Sequence, residues 1–201
     1  MTKIPRTRRA GGAKRIAALG AVAEILAARG YENTRFADVS AASGVAISTL
    51  QTYFGSREDM LIEAMRRSTD EEVAALEAAA GSEKDPWRRL VALIDRSLGN
   101  SERTRQVLIE FWRAGMRDEE LRDYSVQVRT RYREPFVRSV TEGRDQGAFV
   151  LTSGPDDVVD FLLAALGGVM IPRVLHHPGP SPEGFRHVLL SHMRLALGLP
   201  G

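Results

Sequence analysis

The sequence predicts an all-α protein: an N-terminal three-helix domain of helix-turn-helix type, followed by a C-terminal helical bundle, about nine helices in total. Three observations predict it. Apolar residues recur at helical spacing between Gly and Pro breaks, and no period-2 strand pattern of any length interrupts them. Helix-start signals precede several of these segments: Ser56, Asp85-Pro86, Asp118 and Ser181-Pro182. Residues 34–54, TRFADVSAASGVAISTLQTYF, read as two short helices about a tight glycine turn.

In that stretch Thr34 is expected to cap the first helix through its hydroxyl. Phe36, Val39 and Ala42 then form one apolar face. Gly44 reverses the chain where a positive φ is needed, and Val45 returns to the core. The second helix, Ser48 to Phe54, turns Leu50 and Phe54 inward with Tyr53 beside them. Ala46, Ile47, Ser48, Thr49, Gln51 and Thr52 are left outside. That outer face is uncharged and rich in hydrogen-bonding groups, which suits the major groove of double-stranded DNA. Gln51 is the candidate base reader, because its amide can pair bidentately with adenine. Thr34, Tyr53 and Arg57 are expected to hold phosphates, which fix register without reading sequence. Arg35 completes the DNA-binding set, and the free amides at the start of the helix after Ser56 offer a further phosphate site. The competing readings are that Tyr53 only packs the motif and that Gln51 is only solvated.

These residues resemble the helix-turn-helix of the tetracycline-repressor (TetR) family, whose pattern runs roughly Gly-Tyr-x-x-Thr-Thr-[aliphatic]-x-x-Ile-Ala-x-x-Ala-Gly-Val-Ser-x-x-Thr-Leu-Tyr-x-[Tyr/His]-Phe-x-x-Lys. Gly30, Tyr31, Thr34, Val39, Gly44, Val45, Thr49, Leu50, Tyr53 and Phe54 match it, with Arg57 at the Lys place. Ala46 stands for the usual capping Ser, Gln51 for a Tyr, and Ser40 and Ser43 for alanines. The match covers roughly residues 13–61. The resemblance implies a cytoplasmic, homodimeric transcriptional regulator, most often a repressor, bound to a palindromic operator and answering to a small-molecule effector. The alternative is a non-inducible or architectural DNA-binding protein with a purely structural helical body.

Bulk properties agree with a globular chain. The 201 residues can bury about 70% of their unfolded surface. Absence of cysteine excludes disulfides and thiolate metal sites. No signal peptide or membrane span is expected: the most apolar run, Phe161 to Ile171, is too short to cross a bilayer. The net charge of +2 hides an asymmetry. Residues 1–56 carry eight Lys/Arg against three acids, a net of +5; the rest carry 20 against 23, a net of −3. A basic end on a mildly acidic body fits a polyanion-binding head.

In chain order, residues 1–12 are expected to be a flexible basic arm that follows the phosphate backbone or enters the minor groove. Residues 13–58 form the helix-turn-helix domain, beginning with a helix from Ala13 to Arg29. Residues 59–201 form the ligand-binding and dimerisation domain. Its helices are expected over Ser56–Gly81, Pro86–Leu98, Ser101–Gly115, Asp118–Glu142 with a kink or split at Pro135, Asp156–Leu175, and Ser181–Leu197. Gly167 and Gly168 are expected to admit another backbone closely.

Trp87, Phe111, Trp112, Met116, Tyr132, Phe136 and Met170 are the candidates to line a ligand cavity, with ordinary core packing as the competing reading. Few buried charges are evident, which points to an apolar or amphipathic ligand. Phe161, Leu162, Ala165, Leu166, Val169, His187, Leu190, Met193 and Leu197 are the candidates for a four-helix dimer seam. For catalysis the sequence offers no phosphate loop, no nucleophile elbow and no histidine pair spaced for a metal, so neither an enzyme nor a cofactor is expected.

Overall fold

The computed structural model describes residues 12–179 and 181–200, and the regular elements among them are all helical. They are α1 (Ala13–Arg29), α2 (Phe36–Ser43), α3 (Ile47–Phe54), α4 (Arg57–Gly81), α5 (Pro86–Leu98), α6 (Glu102–Gly115), α7 (Glu119–Asp145), α8 (Pro155–Gly168), α9 (Met170–Val174) and α10 (Pro182–Ala196). The expected arm over residues 1–11 lies outside the described residues.

Side-chain caps set most of the starts. Ser56 Oγ accepts from Asp59 N (3.0 Å), Asp85 from Arg88 N (2.8 Å), Ser101 Oγ from Thr104 N (3.1 Å), Asp118 from Leu121 N (2.9 Å) and Ser181 Oγ from Gly184 N (3.0 Å). Each satisfies an amide that the helix leaves unpaired. Thr34 is an exception to the expected scheme. Arg35 holds the cap position of α2, and its own N–H is taken by Asp38 three residues on (3.2 Å). Thr34 instead donates its hydroxyl to Gly30 O (2.9 Å).

The two internal prolines behave differently. The helix expected over 156–175 ends at Gly168, and a short one resumes at Met170. Pro172 accounts for the break, since its ring would meet the carbonyl of Gly168, four residues back, in an unbroken helix. Pro135 does not divide α7, which runs unbroken from Glu119 to Asp145. That helix packs on α4, α5, α6 and α8 at once, enough contact to outweigh a proline cost of about 3 kcal/mol.

Buried apolar side chains form two clusters. The first joins Leu19, Val22 and Leu26 of α1, Val39, Val45, Leu50 and Phe54 of the motif, and Met60, Leu61 and Met65 of α4. It also takes Val107 and Phe111 from α6 and Leu121 from α7. The second joins Leu76 and Ala80 of α4, Leu90, Leu93 and Ile94 of α5, Phe136 and Val140 of α7, Leu162 of α8 and Met193 of α10. α4 serves both. At 25 residues it is roughly 37 Å long and passes uninterrupted through the expected division at 58/59. The second cluster also includes Phe149, packed so closely on α7 that a Cβ at Gly143 would lie 2.1 Å from its ring.

Candidate nucleic-acid interface and internal cavity

The motif is held from beneath and open above. Val39, Val45, Leu50 and Phe54 are buried, Tyr53 is half-buried with its ring edge-on to Phe54, and Arg15 stacks on the Phe54 ring at 5.3 Å. Gly44 takes φ +68°, the left-handed value that lets α2 turn into α3. Of the expected α2 face only Val39 is fully buried; Phe36 is half-buried and Ala42 is exposed. α2 packs on α1 and α3, and Val39 is the one residue of the helix that this buries fully.

Ala46, Ile47, Ser48, Gln51 and Thr52 are exposed together, and Thr49 is half-buried beside them. Thr52 Oγ1 donates to Ser48 O (2.9 Å), leaving the hydroxyl able to accept. Among the described residues the side chains of Ser48 and Gln51 have no hydrogen-bond partner, so their polar atoms are free for an incoming edge. Arg35 is exposed at the rim.

Two residues assigned to phosphates are otherwise engaged. Thr34 is fully buried with its hydroxyl committed to Gly30 O, because it ties the end of α1 to the start of α2. Arg57 turns inward: Nε donates to Thr34 O (2.7 Å), Nη2 donates to Tyr31 O, and the guanidinium stacks on the Tyr31 ring at 5.2 Å. It is a clamp on the α1–α2 connection. The amides opening α4 are also masked electrostatically, since Glu58 and Asp59 occupy its first turn and occupy the positive pole of the helix dipole.

Between α4, α5, α6, α7 and α8–α9 lies a cavity of about 320 Å³. Of the candidates, Phe111, Trp112, Tyr132 and Met170 line it, and Val73, Leu108, Val128 and Leu163 complete its apolar wall. Three expected residues do not line it. Trp87 packs on the second core beneath the guanidinium of Arg194, at 5.3 Å from its ring centre. Phe136 is fully buried in that core, and Met116, 74% exposed, follows the end of α6. A fixed helical period places all three inward, but only packing of several helices decides what inward meets.

The cavity is less apolar than the sequence suggested. Glu72 on α4 is buried in its wall, Oε2 accepting from Arg96 Nη2 at 2.6 Å, with Asn100 bonded to the same arginine (2.6 Å). Burial raises the Glu72 pKa above the ordinary carboxylate value, against the pull of Arg96. Tyr132 bonds Ser97 (2.7 Å), and burial pushes its hydroxyl up to about 12, keeping it neutral. Arg105 and Arg173 line both this cavity and a recess of about 300 Å³ beside it. Glu72 and Arg105 sit among other charged residues of α4 and α6, so nothing in the sequence singles them out as the inward ones.

The residues expected in a dimer seam divide into four groups. Leu162, Met193 and Leu197 belong to the second core, because their helices bury the faces that carry them. Leu166 and Val169 line the cavity. Phe161 and His187 remain exposed, while Ala165 and Leu190 are half-buried against the core. Phe161 of α8 is 62% exposed, and Val188 and Leu195 of α10 are exposed as well. Among the described residues no other part of the chain comes within 4 Å of a Cβ at Gly167 or Gly168, so neither glycine serves a backbone approach there.

Comparison with known proteins bears on this arrangement. Residues 18–64 match the family model described as bacterial regulatory proteins, tetR family, and residues 86–198 match that of the BetI-type transcriptional repressor, C-terminal. The chain belongs to the TetR family. As such it is a DNA-binding transcriptional regulator and not an enzyme. Solved structures repeat the fold. A transcriptional regulator from Saccharomonospora viridis in complex with choline has a TM-score of 0.82 at 23% identity, over 90% of this chain and 95% of that one. A TetR regulator from Haloarcula marismortui has a TM-score of 0.82 at 18% identity, over 92% and 98%. The fatty acid degradation regulator FadR from Bacillus halodurans has a TM-score of 0.74 at 20% identity, over 94% and 97%. Sequence comparison with curated proteins finds no match. No described helix is long and apolar enough to cross a membrane.

Proposed function

We propose that this TetR-family regulator is a homodimeric repressor that leaves a palindromic operator when a small molecule fills the bundle cavity. Each subunit places the outer face of α3 in the major groove, with half-sites about one or more turns apart, roughly 34–36 Å per turn. Gln51 and Ser48 read base edges; Arg35 and the Tyr53 hydroxyl hold backbone phosphates.

One observation carries the coupling. α6 walls the cavity through Leu108, Phe111 and Trp112, and between them Glu110 accepts from Tyr31 N (2.9 Å) at the joint between α1 and α2. A ligand that displaces α6 therefore pulls on the reading head, while α4 links the same two regions through the shared cores. Release requires the ligand to favour one head spacing over the other, since equal affinity for both shifts nothing. The choline held by the S. viridis relative supports a small-molecule site in this fold.

A permanent occupant tests the coupling. Val73→Phe extends a buried α4 side chain into the cavity and should lower operator affinity while far-UV circular dichroism stays unchanged. Unaltered affinity in a folded Val73→Phe protein would favour a non-inducible DNA-binding protein. For the dimer, Phe161→Glu puts a charge on the exposed apolar face of α8 and should yield monomers with poor operator affinity. A dimer persisting on a sizing column would reject that face.

A further inference from the structure

We propose that the cavity takes an organic anion with an apolar tail, a medium-chain carboxylate, its head held between Arg105 and Arg173. This rests on reading the cavity as the effector site and adds the chemical class of what enters it.

Charge balance in the wall carries the argument. Glu72 already has its cation, Arg96 at 2.6 Å, so that pair is neutral. Arg129 faces Asp160 at 3.5 Å. Among the described residues Arg105 and Arg173 form no ion pair. Each spends a guanidinium N–H on a backbone carbonyl: Arg173 Nη1 on Leu98 O (2.7 Å) and Arg105 Nη1 on Asn100 O. Neutral acceptors leave both guanidiniums without an ion-pair partner among the described residues. Arg105 Nε is buried and has no partner at all. Burial, then the like charge of Arg173, lowers the Arg105 pKa; Glu102 offsets this only in part, and lies 3.7 Å from His176.

Two guanidiniums that line the same largely apolar chamber, and the recess beside it, form an anion site, and a planar carboxylate matches their donors. Beyond them Phe111, Trp112, Leu163 and Met170 supply a dry wall for a hydrocarbon tail. A volume of about 320 Å³ is at the low end for small-molecule sites, which favours a single chain of moderate length.

The test compares decanoate, decan-1-ol and decyltrimethylammonium on the full-length protein, by calorimetry and by tryptophan fluorescence, since Trp112 lines the cavity. Decanoate should bind at least about tenfold more tightly than either counterpart. Arg105→Met and Arg173→Met should each weaken decanoate roughly tenfold or more, while decan-1-ol affinity moves less than about twofold. Arg173→Lys, which keeps the charge but loses the planar fork, should weaken decanoate less than Arg173→Met does and serves if Arg105→Met does not fold. Tighter binding of the trimethylammonium probe, no binding of decanoate, or decanoate affinity indifferent to both arginines would overturn the proposal. Operator release, read separately by fluorescence anisotropy, distinguishes the two readings. Arginine-dependent binding of decanoate without release supports the anion site and rejects the effector role. Release by the trimethylammonium probe keeps the effector role and rejects the anion.

Discussion

The reading head and the bundle put their chemistry on opposite sides of the same kind of helix. In the head, α3 buries Leu50 and Phe54 and offers Ser48, Gln51 and Thr52 to the outside. In the bundle, α4 and α6 turn Glu72, Arg105 and Trp112 toward an internal chamber. The outward site depends on one short helix and its turn. The inward site exists only where six helices, α4 to α9, meet. A substitution on α3 should therefore change recognition with little loss of fold, whereas one in the bundle acts on stability and function together.

The largest effect expected is on the bundle. Phe136→Ala removes a fully buried ring from the second core and should cost about 3–5 kcal/mol. Because α4 belongs to both cores, thermal unfolding should remain one transition by circular dichroism; separate melting of the head would break the shared-helix account. Next comes Arg57→Ala, which frees two carbonyls and the Tyr31 ring and should cost about 1.5–3 kcal/mol of stability. The slope of operator affinity against salt should hardly move. A slope reduced by about one would restore Arg57 to the phosphate contacts.

Gln51→Ala sharpens the comparison from the other side. It should leave the melting temperature in place and cost about 1–3 kcal/mol at one or two base positions, measured on a panel of duplexes. Equal loss on every sequence would remove Gln51 from base reading.

The smallest effect is a pH slope. Burial raises the Glu72 pKa in the folded protein, so the folded state holds a proton that the unfolded state has already lost. Stability should fall as pH rises through the window from about 4.5, the unfolded value, to the higher folded one. Glu72→Gln should flatten that slope in urea titrations across the window.

This contrast also explains what was legible in the sequence. Turn chemistry and caps are local, so Gly44, Ser56, Asp85, Asp118 and Ser181 announced their helices. Helical period placed Leu50 and Phe54 inside and Gln51 outside. It could not say that Arg57 would fold back on Thr34 and Tyr31, because those partners lie 23 and 26 residues away. Nor could it separate Phe136, which is core, from Tyr132 one turn earlier, which meets the cavity. The same limit hid Glu72, whose charge partner Arg96 comes from α5. Pro172 and Pro135 look alike in sequence, and only the packing around each helix decides which one breaks it.

The most direct measurement is to let the purified protein select among random duplexes and to sequence those retained. The outward face of α3, repeated by the proposed two-fold axis, predicts an enriched inverted repeat whose half-site preference shifts at one or two positions in the Gln51→Ala protein. Retention of all duplexes alike, with no sequence rising above the random pool, would contradict it.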